Sequence, residues 1–230
     1  MSPARVELVL LDMGGVLLPE FSHYERAAQD ESLLATLRAH SIREPESFIE
    51  ERASRVREAY VALSATCTQP DLDAVLGDCA PDVRRLLLGA FAAVANRRPY
   101  AHVGEVLREL ARHSRLALVS NTIIPGDHHR RTLERYGLLR RLERAIWSAD
   151  FGRRKPDPAM IHHVLETLGV AARNALFVGD KLRTDVLAAQ RARVRSVHLR
   201  RRGTPWSSEA VPDFVIRDLR ELPLLLQRLG

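Results

Sequence analysis

Val6-Glu7-Leu8-Val9-Leu10-Leu11-Asp12-Met13-Gly14-Gly15 is a short, nearly unbroken apolar run that stops at an acid and two glycines. Such a run is too short for a helix and too apolar for a strand wetted on one side, so it reads as a buried strand that ends in a flexible loop. Three similar runs follow. Leu116 to Val119 ends in Ser120-Asn121-Thr122, Ala145 to Trp147 leads through Gly152 to Lys155, and Ala175 to Val178 ends in Gly179-Asp180. Ser196 to Leu199 and Phe214 to Ile216 are weaker runs of the same kind.

Between these runs the apolar period becomes helical. Val103, Val106, Leu107 and Leu110 fall on one helix face, as do Ile161, Val164, Leu165 and Leu168. Asp157-Pro158 supplies a cap and a first-turn proline for the second of these helices, and Gly169 stops it. Strand, helix and strand at this spacing predict parallel crossovers, hence an α/β, Rossmann-like parallel sheet. The stretch from Phe21 to Asn96 breaks the rhythm: it carries helical patterns, with prolines at 45, 70 and 81, and no convincing strand. The expected plan is a core of residues 1–20 and 97–230 interrupted by an inserted all-helical subdomain, residues 21–96.

Composition narrows the class. With 46% hydrophobic and 28% charged residues in 230, the chain is of ordinary globular make-up. No stretch approaches the roughly 18 apolar residues of a membrane span, and no secretory leader is evident, so the expected location is cytoplasmic, with no membrane partner. Cys67 and Cys79 form no disulfide framework and are read as free, buried thiols. The net charge of +6, with Arg191, Arg193 and Arg195 followed by Arg200, Arg201 and Arg202, raises nucleic acid as a partner. Aromatic residues do not interleave with these arginines and no binding motif accompanies them, so no nucleic acid is expected. Of 35 basic residues only Lys155 and Lys181 are lysine. A slim point charge in a chain that otherwise uses arginine marks both positions for attention.

Ligands of an open parallel sheet bind beyond the carboxyl ends of its strands. Asp12, Ser120, Lys155 and Asp180 all fall there, with Asp185 five residues further on. Singly, each is an ordinary turn or cap residue; together and in order they are not. The D-M-G-G-V, V-S-N, K-P-D-P and G-D-K-L-R-T-D segments resemble the four motifs of the haloacid dehalogenase-like (HAD) hydrolase superfamily. The helical insertion sits where that family carries a cap domain, and P-D-F-V-I with a Leu-rich helix looks like its usual ending.

The resemblance implies a magnesium-dependent phosphohydrolase acting on a small phosphorylated metabolite. Asp12 would be the nucleophile, forming an aspartyl-phosphate that water hydrolyses. Mg2+ would lie on Asp12, the Gly14 carbonyl and Asp180, with Asp185 in support. Asp185 has a second reading, as an acid favoured at a helix N-terminus. Lys155 would hold the phosphoryl group and Asp12 in register, Ser120 would donate to the same group, and Asn121 would border it. Gly14 and Gly15 would leave backbone amides open to an anion. Lys181 reads more plainly as an exposed lysine than as a substrate contact.

One departure stands out. The family's phosphatases commonly carry a second aspartate two residues after the nucleophile as general acid and base, and this chain has Gly14 there. The alternatives are therefore a 2-haloacid dehalogenase, whose departing halide needs no proton, and a catalytically impaired ligand-binding or regulatory protein. His128 and His129 are remote candidates for a replacement acid, with a surface or boundary position the plainer reading; His162 and His163, adjacent on a helix, point about 100° apart and do not share an ion. Tyr24, Arg52, Arg55 and Tyr60 lie in the insertion without an assignable head group.

Overall fold

The structure, a computed structural model, describes residues 5–20, 23–201 and 210–229. The expected boundary at Phe21 and the last residue of the arginine run, Arg202, lie outside these residues.

Every strand of the six-stranded sheet pairs in parallel, in the order β3-β2-β1-β4-β5-β6. The strands are β1 (Leu8–Leu11), β2 (Arg115–Ser120), β3 (Arg144–Trp147), β4 (Ala175–Gly179), β5 (Arg195–Leu199) and β6 (Phe214–Ile216). β1 lies between β2 and β4, and all four of its residues are buried, as a strand covered on both faces must be. Alternation divides them: Val9 and Leu11 pack into one layer and Leu8 and Leu10 into the other.

The first layer contains α5 (Val103–Leu110) and α10 (Leu222–Leu229), the second α8 (Ala159–Leu168) and α9 (Leu187–Arg191). The predicted faces bear this out. Val103, Val106, Leu107 and Leu110 are all buried, as are Ile161, Val164 and Leu165, each side chain contributing about 1.5–3 kcal/mol of transfer free energy. α8 begins one residue later than Asp157-Pro158 suggests, but Asp157 still caps it, its Oδ1 accepting from the Ala159 amide at 2.8 Å. Cys67 is buried and Cys79 half-buried, both as free thiols.

Between β1 and α5 the described residues form a 3-10 helix (Tyr24–Gln29), α1 (Glu31–Ala39), α2 (Pro45–Ala62), α3 (Leu72–Leu76) and α4 (Pro81–Ala95). Proline opens α2 and α4, and the carboxylates of Asp30 and Asp71 cap α1 and α3. These helices share one apolar cluster, with Leu37, Ile49, Leu87 and Phe91 at its centre. Ile123 and Ile124, just beyond β2, join that cluster and so seat the helical layer above the carboxyl end of the sheet.

Candidate active site

The sheet edge brings the sequence-predicted residues together. Asp12 follows β1 with its amide still bonded to Val178 of β4 at 2.9 Å, Ser120 ends β2, and Asp180 follows β4. Carboxylate oxygens of Asp12, Asp180 and Asp185 lie within 4.8 Å of one another. Lys155, 2% exposed, reaches in from the loop beyond α7 (Ser148–Phe151). Its Nζ donates to Asp12 Oδ1 at 2.8 Å and to the Val119 carbonyl at 2.9 Å, and lies 2.8 Å from Asp185 Oδ1. All three ammonium hydrogens are thus engaged.

Asp12 and Asp185 share the Lys155 ammonium while Asp180 stands beside them without reaching it, so negative charge gathers in a dry place, eased only in part by Lys181 at the rim. Burial, with Asp12 and Asp185 beside it, pushes Asp180 up to about 7. Burial also raises Asp12, against the pull of Lys155 and with the help of Asp185. For Lys155 burial works against the charge, but Asp12 and Asp185 outweigh it and hold the ammonium above its ordinary range. Among the described residues Asp180 Oδ1 is buried without a hydrogen-bond partner. An orphaned carboxylate oxygen amid surplus negative charge, with all-oxygen donors, fits a hard divalent cation such as Mg2+.

The loop after Asp12 is tightly wound. The Leu17 and Leu18 amides both donate to the Met13 carbonyl, and Gly15 N–H donates to Leu18 O at 2.7 Å. Gly15 has φ +74°, and a β-carbon there would meet Asp180 Oδ2 at 1.9 Å, so only glycine lets the loop approach that acid. This corrects one expectation: the Gly15 amide is used inside the loop and is not open to an anion. Gly14 takes no part in that bond, and a β-carbon on it would have nothing within 4 Å. The Gly15 carbonyl accepts from Arg201, whose guanidinium lies 4.4 Å from the Tyr100 ring centroid. One arginine of the basic run thus serves this loop.

Other predicted residues take unexpected positions. The Asn121 side chain pairs with the Lys155 backbone in both directions, Oδ1 accepting from its amide and Nδ2 donating to its carbonyl, each at 2.8 Å. Its amide therefore holds the lysine. Asp185 lies in a wide turn, Leu182–Val186, where its carboxylate accepts from the Lys181 amide at 3.0 Å. Neither a plain helix-capping acid nor a distant one, it is part of the carboxylate cluster. A β-carbon on Gly179 would meet Asp185 Cβ at 2.2 Å, so that glycine makes room for it. Lys181 is half-exposed and ion-paired with Glu20 at the rim, where burial is outweighed by Glu20 and the ammonium is held above its usual range.

A cavity of about 340 Å³ opens above Asp12, Ser120 and Lys155, roofed by Tyr24, Val56, Arg57 and Tyr60 of the helical layer. Arg57 is a lining residue that the sequence marks only by its place one turn before Tyr60 on α2. Arg52 and Arg55 serve the helical layer: Arg52 is buried over the Phe48 ring and donates to Leu76 O at 3.2 Å, and Arg55 pairs with Glu51. His129 is not at the surface. It is buried on α6 (Gly126–Arg135), Nδ1 on Asn96 Oδ1 at 2.7 Å and Nε2 on Thr122 Oγ1 at 2.8 Å. Burial, with His128 adding, lowers its pKa to about 4. A neutral ring with both nitrogens engaged is a poor acid at neutral pH.

A haloacid dehalogenase-like hydrolase family profile matches residues 6–193. The chain belongs to that family. Among curated relatives, phosphoserine phosphatase of Thermus thermophilus is 36% identical over 143 residues, covering 62% of this chain and 57% of the relative. Phosphoglycolate phosphatase 1 of Pseudomonas aeruginosa is 36% identical over 127 residues, 54% and 45% of the two chains. The chain thus spans about half the length of the curated relatives it matches. Among solved structures, the magnesium-bound HAD-hydrolase YfnB of Bacillus subtilis superposes with a TM-score of 0.68 at 19% identity, covering 96% of this chain and 99% of the other. A 2-haloacid dehalogenase of Pseudomonas syringae gives 0.67 at 24% identity, covering 98% and 100%. At these identities the likeness is one of fold. No helix among the described residues is long and apolar enough to cross a membrane.

Proposed function

We propose that this HAD-family chain is a magnesium-dependent phosphomonoester hydrolase for a small phosphorylated metabolite. The observation that carries the reading is the cluster of Asp12, Asp180 and Asp185, with Lys155 bonded to Asp12 and Asp185 and these three residues lining the floor of the cavity. The phosphatase names of the two curated relatives support the same direction.

In this reading Asp12 is the nucleophile. Lys155 fixes its Oδ1 and leaves the second oxygen to attack phosphorus, so a P–O bond forms to Asp12 while the ester oxygen departs with its electron pair. The Lys155 ammonium offsets charge spreading over the phosphoryl oxygens, and Ser120 donates to the same group. Water then attacks the aspartyl-phosphate, releasing phosphate and restoring the carboxylate. Asp12, Asp180 and the Gly14 carbonyl, supported by Asp185, would hold Mg2+, which when bound supplies the positive charge that lets carboxylate and phosphate meet. Residues 21–96 act as the cap that admits or refuses substrates through Tyr24, Arg57 and Tyr60. Gly14 offers no proton, so esters with good leaving groups are favoured.

Hydrolysis of p-nitrophenyl phosphate by the wild type and by Asp12→Asn, with Mg2+ and with chelator, tests the proposal. The variant is expected to lose at least ~10³-fold, and chelation to stop the wild type. Equal rates for the two proteins would overturn it. Halide release from 2-chloropropionate in chelator would favour the dehalogenase alternative.

A further inference from the structure

Arg154 is 3% exposed, yet no carboxylate pairs with it among the described residues. Its guanidinium reaches out of the sheet core into the helical layer. There Nη2 donates to the Tyr60 carbonyl and to Ser64 Oγ, the latter at 3.2 Å, and the group lies 4.0 Å from the Tyr60 ring centroid. Tyr60 is in the last turn of α2, where carbonyls lack helical partners and the helix dipole is negative. The end of α2 and an aromatic face therefore stand in for a counter-ion.

The backbone around Arg154 is held in the same direction. Its amide donates to Cys67 O at 2.9 Å, the Gln69 amide donates to Gly152 O at 3.1 Å, and Thr68 and Arg153 form an antiparallel bridge. The next residue faces the other way, for Lys155 is held by the Asn121 side chain at the end of β2. Two consecutive residues thus tie one loop to two bodies, Arg154 to the roof of the cavity and Lys155 to its floor. Tyr60, which Arg154 grips, lines that cavity.

We propose that Arg154 is a positioning residue that locks the helical layer onto the Lys155 loop, so that closing the cavity and seating the ammonium are one event. Opening the roof exposes an unpaired guanidinium and breaks the strand-like pairing of residues 67–69 with 152–154 in the same movement. Hydrogen bonds from a charged donor are worth roughly a 10- to 100-fold bias in such an equilibrium. Substrate that binds only the closed form then sees its KM raised when the lock is lost, while kcat, measured on the closed and filled protein, is held.

The test is hydrogen exchange on the full chain with Arg154→Met, which keeps an apolar stem on Tyr60 and removes the fork. Exchange across residues 63–70 and 152–156 should rise together by about tenfold or more, with α8 and the central strands unchanged. No change, or an equal rise in every segment, would overturn the proposal. Arg154→Lys, which keeps the charge without the fork, should give an intermediate rise in the same two segments, and it serves if the methionine variant does not fold. The kinetic readout rests on the phosphohydrolase reading, whereas the exchange readout does not, so the two fail separately. With p-nitrophenyl phosphate, KM should rise at least about threefold with kcat within about threefold. A fall in kcat at constant KM would mean that Arg154 merely supports Lys155.

Discussion

Asp185 Oδ1 lies 2.8 Å from Lys155 Nζ, and each side chain is 1% exposed. The acid that the sequence ranks last among the candidates is thus as close to the lysine as Asp12 is. Lys155 is therefore shared, and its removal strands two carboxylates at once.

Lys155→Met should abolish turnover and destabilise the fold by about 3–5 kcal/mol at neutral pH, the cost of buried charge left without its partner. Adding Asp185→Asn to that variant should recover part of the stability and none of the activity. Denaturant melts of the two single variants and the double variant give the coupling directly. Additive losses would show that the contact is energetically idle.

Burial beside Asp12 and Asp185 raises Asp180, so its negative charge is expected to oppose folding when no cation is present. Asp180→Asn should accordingly melt higher than the wild type in chelator, by on the order of 1–2 kcal/mol. Added Mg2+ should stabilise the wild type by mass action and the variant little, narrowing or reversing the order. Calorimetry at several Mg2+ concentrations reads this without any substrate.

The two glycines after Asp12 should respond in opposite ways. Gly15 has φ +74° and no room beside Asp180 Oδ2, so Gly15→Ala should lose both stability, by roughly 2 kcal/mol or more, and activity. Gly14 has open space around its missing β-carbon, and Gly14→Asp should fold. Wild-type rates should depend steeply on leaving-group pKa. The aspartate variant should flatten that dependence, gaining about 10²-fold on alkyl relative to aryl phosphates. A wild-type series that is already flat would mean another group supplies the proton.

His129 gives the fold a pH dependence of definite sign. Its folded pKa of about 4 lies below the unfolded value near 6.5. Between those values the unfolded chain binds the extra proton, so stability is full above about 6.5 and falls as pH drops toward 4, by on the order of 3 kcal/mol at most. Urea titrations of the wild type and His129→Gln should draw together as pH falls from about 6.5 to 4 and keep a constant separation above 6.5. Parallel curves over the whole range would remove His129 from the account.

Much of this arrangement is legible in local pattern. β1 is readable because a strand covered on both faces has no polar alternation, and the faces of α5 and α8 because each buries one stripe. The placing of Asp12, Ser120 and Asp180 at one edge follows from parallel pairing alone. What stays hidden depends on partners distant in sequence. Nothing near Asn121 announces that its amide will meet the Lys155 backbone, or near Arg154 that its counter-charge will be the end of α2 about 90 residues earlier. Glycine at position 15 indicates freedom of the chain and not the use made of its amide, which Leu18 O takes. The burial of His129 is hidden in the same way, because it depends on Asn96 and Trp147, contributed by other segments.

Because β1 and β4 are neighbours with Leu11 opposite Val178, the placing of Asp12 against Asp180 is set by the inter-strand repeat of about 4.8 Å and a one-residue step along β4. That ruler is built into backbone pairing and is indifferent to what the roof of the cavity is made of. Successive changes in the helices above can reshape the cavity while that spacing passes down intact. Invention in such a scaffold falls to its ceiling, and inheritance to its floor.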